Sequence, residues 1–135
     1  MLADTQKLIQ EFDVRTPNAF VTAATLSGGN QQKLIVAREM HRENKLLIVN
    51  QPTRGLDVGS IEFIHKRIIE ARDSGVAVLL ISAELDEILS LADRVAVLFH
   101  GQVMATMPIA QANKERLGLL MAGVDDTVVE PTATP

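Results

Sequence analysis

The residues best suited to chemistry lie in Leu26-Ser27-Gly28-Gly29-Asn30-Gln31-Gln32-Lys33. Two adjacent glycines leave backbone N–H groups uncovered, so an anion can approach them closely. A helix starting here adds the positive end of its dipole, and Ser27 can cap it or donate its hydroxyl. An ordinary loop ahead of a helix has the same composition, so the flanking residues must decide between the two readings. Two further polar pairs, Asn50-Gln51 and Ser82-Ala83, follow apolar runs at 45–49 and 76–81. In a sheet of parallel strands, ligands bind at the carboxyl ends, where both pairs would stand. His41, His65 and His100 have no metal-ligand spacing, so no protein metal site is expected.

These residues need elements to hold them. Leu8 and Phe12 stand at i and i+4, which predicts a helix over 3–12. Residues 13–24 read as irregular, with a turn at Thr16-Pro17-Asn18. A helix runs from Ser27-Gly28-Gly29 to about Arg42. Residues 45–50 and 76–81 read as buried strands, separated by a loop with Pro52, Gly55 and Gly59. Between them, Ile61, Ile64, His65 and Ile68 put an apolar stripe on a helix over 60–73. Gly75 closes that helix at the C′ position. A helix over 84–92 has Glu84, Asp86 and Glu87 in its first turn, where the dipole favours negative charge. His100-Gly101 joins 94–99 to 102–107 as a hairpin. A last helix is predicted over 109–122, with a disordered tail from 123 to 135. The strand–helix alternation gives an α/β fold with mainly parallel strands.

Composition narrows the function classes. The 135 residues suit one domain, and 47% hydrophobic residues are enough for a core. With no cysteine there is neither a disulfide framework nor a thiolate metal site. A net charge of −4 argues against a chain whose task is to grip nucleic acid. No stretch approaches the roughly 18 apolar residues of a membrane span. Any membrane association is therefore expected to be peripheral, through a partner.

The order of these motifs resembles the C-terminal part of an ABC-transporter ATP-binding domain. Leu26 to Lys33 is similar to the signature motif in its sugar- and nucleoside-importer form. Leu46-Leu47-Ile48-Val49-Asn50-Gln51 resembles a Walker B strand, and Pro52 to Gly59, containing Asp57, resembles the D-loop segment. Val78 to Leu85 resembles the switch strand, and Arg94 to Met104 the closing hairpin. The resemblance covers about residues 1–122 and points to the second ATP-binding domain of the tandem ATPases of such importers. It implies a P-loop NTPase fold with a mainly parallel sheet and a C-terminal β-hairpin, in a domain that begins upstream of residue 1.

The departures from that pattern are informative. Asn50 and Gln51 occupy the places of the Asp that holds the Mg²⁺ shell and the Glu that activates water. Neither amide can act as a base near neutral pH, and losing a general base costs about 10²–10⁴ in rate. Ala83 replaces the switch histidine, and no Gly-x-x-x-x-Gly-Lys-Ser/Thr loop occurs in the sequence. In this family's head-to-tail domain pairs, each ATP lies between one domain's phosphate loop and the other's signature motif. The resemblance therefore implies that Ser27, Gly28, Gly29, Asn30 and Gln31 contact ATP, with its Mg²⁺, held mainly by a partner domain. It implies that Asp57 lies at the dimer interface and helps to place the attacking water. The composite site containing Asn50 and Gln51 is expected to bind nucleotide weakly or without turnover, and the isolated chain to be inert. The implied partners are another ABC ATP-binding domain and membrane permease subunits, at the cytoplasmic face of the membrane. A non-hydrolytic scaffold or regulatory module that pairs with a complete ATP-binding domain is the alternative. A DNA-repair ATPase sharing the Ser-Gly-Gly signature fits less well with the acidic balance and the hairpin.

Overall fold

The structure, a computed structural model, describes residues 2–124. These fall into two compact units that divide after Ile81.

The first unit contains α1 (Leu2–Glu11), α2 (Gly28–Met40), β1 (Leu46–Asn50), α3 (Val58–Asp73) and β2 (Ala77–Ile81). Helix α1 ends in a six-to-one cap, in which Val14 N–H donates to Ile9 O and Asp13 N–H to Gln10 O. Asp13 takes the left-handed conformation at C′ (φ 47°), a place where Gly is the usual residue. For a non-glycine residue this strain is of order 1 kcal/mol. Ser27 caps α2, accepting from Asn30 N, and Asp57 caps α3, accepting from Ser60 N. The Asp57 cap starts α3 at Val58, two residues before the predicted start. Gly75, at φ 95°, ends α3 as expected, with Val76 N–H donating to Ala71 O. The core gathers Phe12, Val14, Val36, Ala37, Leu47, Ile64 and Ile68.

Strands β1 and β2 pair in parallel, with Leu46 opposite Ala77, Ile48 opposite Leu79 and Asn50 opposite Ile81. Both strands were expected to be buried; the structure corrects this. Leu47 is buried, but Leu46 is 54% and Ile48 60% exposed, and Leu79 and Ile81 are also exposed. These four belong to one face of the pair, because successive side chains alternate across a strand. Helix α3 packs on β2 within this unit, and the Leu46–Ile81 face stays open.

The second unit contains α4 (Leu85–Leu91), β3 (Arg94–Phe99), β4 (Gln102–Pro108) and α5 (Lys114–Met121). Strands β3 and β4 form the predicted hairpin, turning at His100-Gly101 with both residues at positive φ. A bulge between Val97 and Leu98 shifts the register. The last helix does not begin at residue 109. Residues Ile109–Gln111 form a single 3-10 turn, and Asn113 then caps α5 by accepting from Arg116 N. Leu117 and Leu120 pack against Val97 and Met107, with Met104 beside them. Gly123 and Val124 close α5 with bonds to Leu120 O and Leu119 O. The rest of the expected tail lies outside the described residues.

Candidate functional site

The predicted anion-binding segment folds as the start of α2, in the first unit. Ser27 Oγ accepts from Asn30 Nδ2 at 2.9 Å and more distantly from Asn30 N at 3.4 Å. With both acceptor positions engaged, the Ser27 hydroxyl proton is left for an acceptor other than Asn30. The first N–H groups of a helix have no acceptor within the helix, so Gly28 and Gly29 offer donors at the positive end of the α2 dipole.

The two glycines differ in their surroundings. A Cβ on Gly28 would meet nothing within 4 Å, so the space on that side of its Cα is open. A Cβ on Gly29 would stand 2.5 Å from Ser60 Oγ and 3.3 Å from Asp57 Oδ2. Packing against the start of α3 therefore requires glycine at position 29, whatever binds there. Asn30 and Gln31 spend their side chains inside the loop. Asn30 Oδ1 accepts from Arg15 N at 2.8 Å, and Gln31 Nε2 donates to Leu26 O at 2.8 Å.

Asp57 lies beside this segment. Its Oδ1 accepts from Ser60 N at 3.0 Å and its Oδ2 from Ser60 Oγ at 2.7 Å. The Ser60 hydroxyl first, and then the Ser60 amide, hold the Asp57 carboxyl below its ordinary value. The structure thus brings Ser27, Gly28, Gly29, Asn30, Gln31 and Asp57 together around the starts of α2 and α3.

Asn50 and Gln51 stand elsewhere in the unit, at the carboxyl end of β1. Asn50 is exposed and pairs in register with Ile81. Gln51 has φ 49°, and its N–H extends the ladder to Ile81 O at 2.8 Å. The buried residues Pro52 and Thr53 follow and turn the chain toward Asp57. Among the described residues, no cluster of three or more His, Cys, Asp or Glu side chains could hold a metal. Ala83 belongs to the second unit, where Ser82 Oγ accepts from Glu84 N ahead of α4.

Sequence reasoning did not find the pair behind the signature segment. Lys33, 7% exposed, donates through Nζ to Asp13 Oδ2 at 2.8 Å and Asp13 O at 3.1 Å. The same ammonium lies 4.7 Å from the centre of the Phe63 ring. Arg67 stacks on Phe12 and Phe63 and donates to Glu11 O. Nothing in the spacing of the sequence relates Lys33 to a partner 20 residues away. A cleft of about 450 Å³, lined by Phe12, Met40, Arg42, Leu47, Arg67 and Glu70 among others, opens at the far end of α2. It lies a helix length, about 20 Å, from Ser27 and is separate from the site.

No protein-family model matches the chain. Individual proteins do. Over 123 residues it is 55% identical to the guanosine import ATP-binding protein NupO of Bacillus subtilis, which covers 91% of this chain and 24% of that protein. It is 58% identical over 118 residues to the nucleoside import ATP-binding protein NupA of Lactococcus lactis, covering 87% of this chain and 23% of that one. A glucose import ATP-binding protein of Haloferax volcanii is 47% identical over 126 residues, 92% of this chain and 23% of its own length. The chain thus spans about a quarter of the length of the curated relatives it matches. The solved ATP-binding subunit of an ABC transporter superposes with a TM-score of 0.74 at 23% identity, over 87% of this chain and 52% of that one. A nucleotide-free ATP-binding cassette gives 0.69 at 24% identity, over 95% of this chain and 48% of that one. The fold is therefore that of an ABC ATPase cassette, a P-loop NTPase, and the chain belongs to the family of ABC-transporter ATP-binding proteins.

Proposed function

We propose that the chain is the signature-bearing part of the ATP-binding subunit of a sugar or nucleoside importer. On this reading it closes on ATP held by another domain's phosphate loop, and that closure couples nucleotide to uptake through a membrane permease at the cytoplasmic face. The observation that carries the reading is the start of α2. There Ser27 Oγ accepts from Asn30, which leaves its hydroxyl proton for another acceptor, and nothing lies within 4 Å of the place a Gly28 Cβ would take. This cradle fits a terminal phosphate.

The residues at β1 do not fit Mg²⁺ held by this chain. Asn50 and Gln51 offer neutral amide oxygens, and magnesium is held by carboxylates together with substrate phosphates. The metal then belongs to the partner domain's half of the site, and Ser27, Gly28 and Gly29 meet the phosphate from the opposite side. Asp57, packed against Gly29, ties the interface loop to the same cradle and helps to place the attacking water there.

The test mixes the chain with a complete ATP-binding domain that has its own phosphate loop and whose general base is changed to Gln, so that ATP persists. Sedimentation should show association only when Mg-ATP is present, and Ser27→Arg should abolish it. The chain alone should not hydrolyse ATP; turnover by it at about 1 s⁻¹ or faster, an ordinary enzyme rate, would overturn the reading.

A further inference from the structure

Asp13 presents a contradiction. It occupies the left-handed C′ position that closes α1, where glycine is the unstrained choice. A carboxylate there needs another reason, and Lys33 supplies it. The ammonium is buried, and both the Asp13 carboxylate and the Asp13 carbonyl accept from it. The turn is therefore gripped at side chain and backbone together. Two residues on, past buried Val14, the Arg15 N–H donates to Asn30 Oδ1 at 2.8 Å. A backbone N–H can only donate, so the atom of Asn30 facing it must be the oxygen, which turns Nδ2 toward Ser27. Nδ2 in turn donates to Ser27 Oγ at 2.9 Å. A continuous path thus runs from the Lys33–Asp13 pair to the hydroxyl at the start of α2.

We propose that Asp13 and Lys33 are positioning residues for Ser27, acting through the Arg15 amide and Asn30 to aim the Ser27 hydroxyl proton at the phosphate. Asn30 then orients Ser27 and does not itself touch the nucleotide. The inference rests on the reading of Ser27 given under Proposed function. It separates two roles that a helix cap normally combines: a residue chosen only to end α1 would be glycine, whereas one chosen to hold Arg15 in register must carry a carboxylate.

The decisive variant is Asp13→Gly, which relieves the backbone conformation and removes the grip on Lys33. Its thermal midpoint should lie at or above that of Asp13→Asn, which loses the same carboxylate without glycine's relief at positive φ, while its ATP-dependent association with the complete ATP-binding domain should weaken about tenfold, the effect of one misplaced charge-assisted hydrogen bond. In a Ser27→Ala background the same change should have no further effect on association, because the path then ends on nothing. Asp13→Asn, which tolerates the same backbone and removes only the charge, should weaken association in the same direction. Equal weakening in both backgrounds, or wild-type association by Asp13→Gly, overturns the proposal. Amide exchange on the chain alone gives an independent reading: the Arg15 N–H and the Asn30 side-chain amide should exchange at least about fivefold faster in Asp13→Gly, as a released hydrogen bond requires. If wild-type chain shows no ATP-driven association, the reading of function fails and exchange alone judges the path from Asp13 to Ser27. Faster exchange sustains it, and unchanged exchange overturns it.

Discussion

Gly29 lies so close to Ser60 that a Cβ on it would stand 2.5 Å from the Ser60 hydroxyl, with Asp57 Oδ2 at 3.3 Å. The second glycine of the signature segment is thus required by packing within the chain, and that packing joins the start of α2 to the Asp57 loop. Exchanging Gly for Ala inside a helix normally gains about 0.5–1 kcal/mol. Here the sign should reverse, because an overpacked side chain costs about 1–3 kcal/mol.

Gly29→Ala should therefore lower stability in urea unfolding, whereas Gly28→Ala, with open space above it, should leave stability unchanged or slightly raised. Ser60→Ala removes the nearest atom and should recover part of the Gly29→Ala loss. Strictly additive effects of the two changes would show that Gly29 and Ser60 do not touch.

Gln51 offers a second test, because it adopts φ 49° at the end of β1 while its N–H bonds Ile81 O. Gln51→Gly keeps that bond and relieves about 1–2 kcal/mol of left-handed strain. It also gives back about 0.4–1 kcal/mol through the greater freedom of the unfolded chain. A net gain of up to about 1.6 kcal/mol should appear in the urea midpoint. A loss of that size would mean that the Gln51 side chain, and not only its backbone, holds the turn.

Much of this arrangement could be read in the sequence. Periodicity and turn residues located α1, α3, β1, β2 and the hairpin, because Gly75 and His100-Gly101 punctuate the chain where the backbone needs positive φ. The start of α2 was legible from Ser27 ahead of Gly28-Gly29, because a serine side chain is a favoured helix cap. Asn113 was missed as a cap, so α5 was begun five residues early; a cap asparagine inside an apolar stretch resembles helix sequence until its bond to Arg116 N is seen. The exposed face of β1 and β2 was illegible in principle. An apolar run says that a strand can be covered on both faces, not that it is. The Asp13–Lys33 pair was hidden because its partners are 20 residues apart, and no period relates them.

Acid should weaken the first unit in a predictable direction. The hydrogen bond and charge of Lys33 hold the Asp13 carboxyl below its ordinary value of 3.8, and the Ser60 hydroxyl and amide do the same for Asp57. A carboxyl that binds its proton more weakly folded than unfolded contributes stability above the unfolded value. That contribution fades as pH falls through the lower folded value. Urea midpoints should stay level near neutrality and decline from about pH 4 downward. Asp13→Asn should lower the neutral plateau and make the acid decline shallower, since one of the two groups no longer titrates. An unchanged acid slope in Asp13→Asn would mean that the Lys33 pair contributes nothing in solution.

The open face of the parallel pair makes the last prediction. Leu46, Ile48, Leu79 and Ile81 share it by the register of Ile48 with Leu79, and all four are exposed, whereas Leu47 faces the other way and is buried. Contiguous apolar surface of this kind promotes association. Changing Ile48 and Leu79 together to Thr should therefore shift stability by no more than about 0.5 kcal/mol, as at other exposed sites. Thr is β-branched, a shape that suits a strand, so the ladder should survive. The same double variant should lower the fluorescence of a hydrophobic dye and slow concentration-dependent aggregation. Leu47→Ala, one residue away, should cost about 2–5 kcal/mol, the range for emptying a packed position. If the double variant proves as costly as Leu47→Ala, the face is covered in solution. The pair of strands would then already be packed on both sides, and the dye should bind wild-type chain and double variant alike.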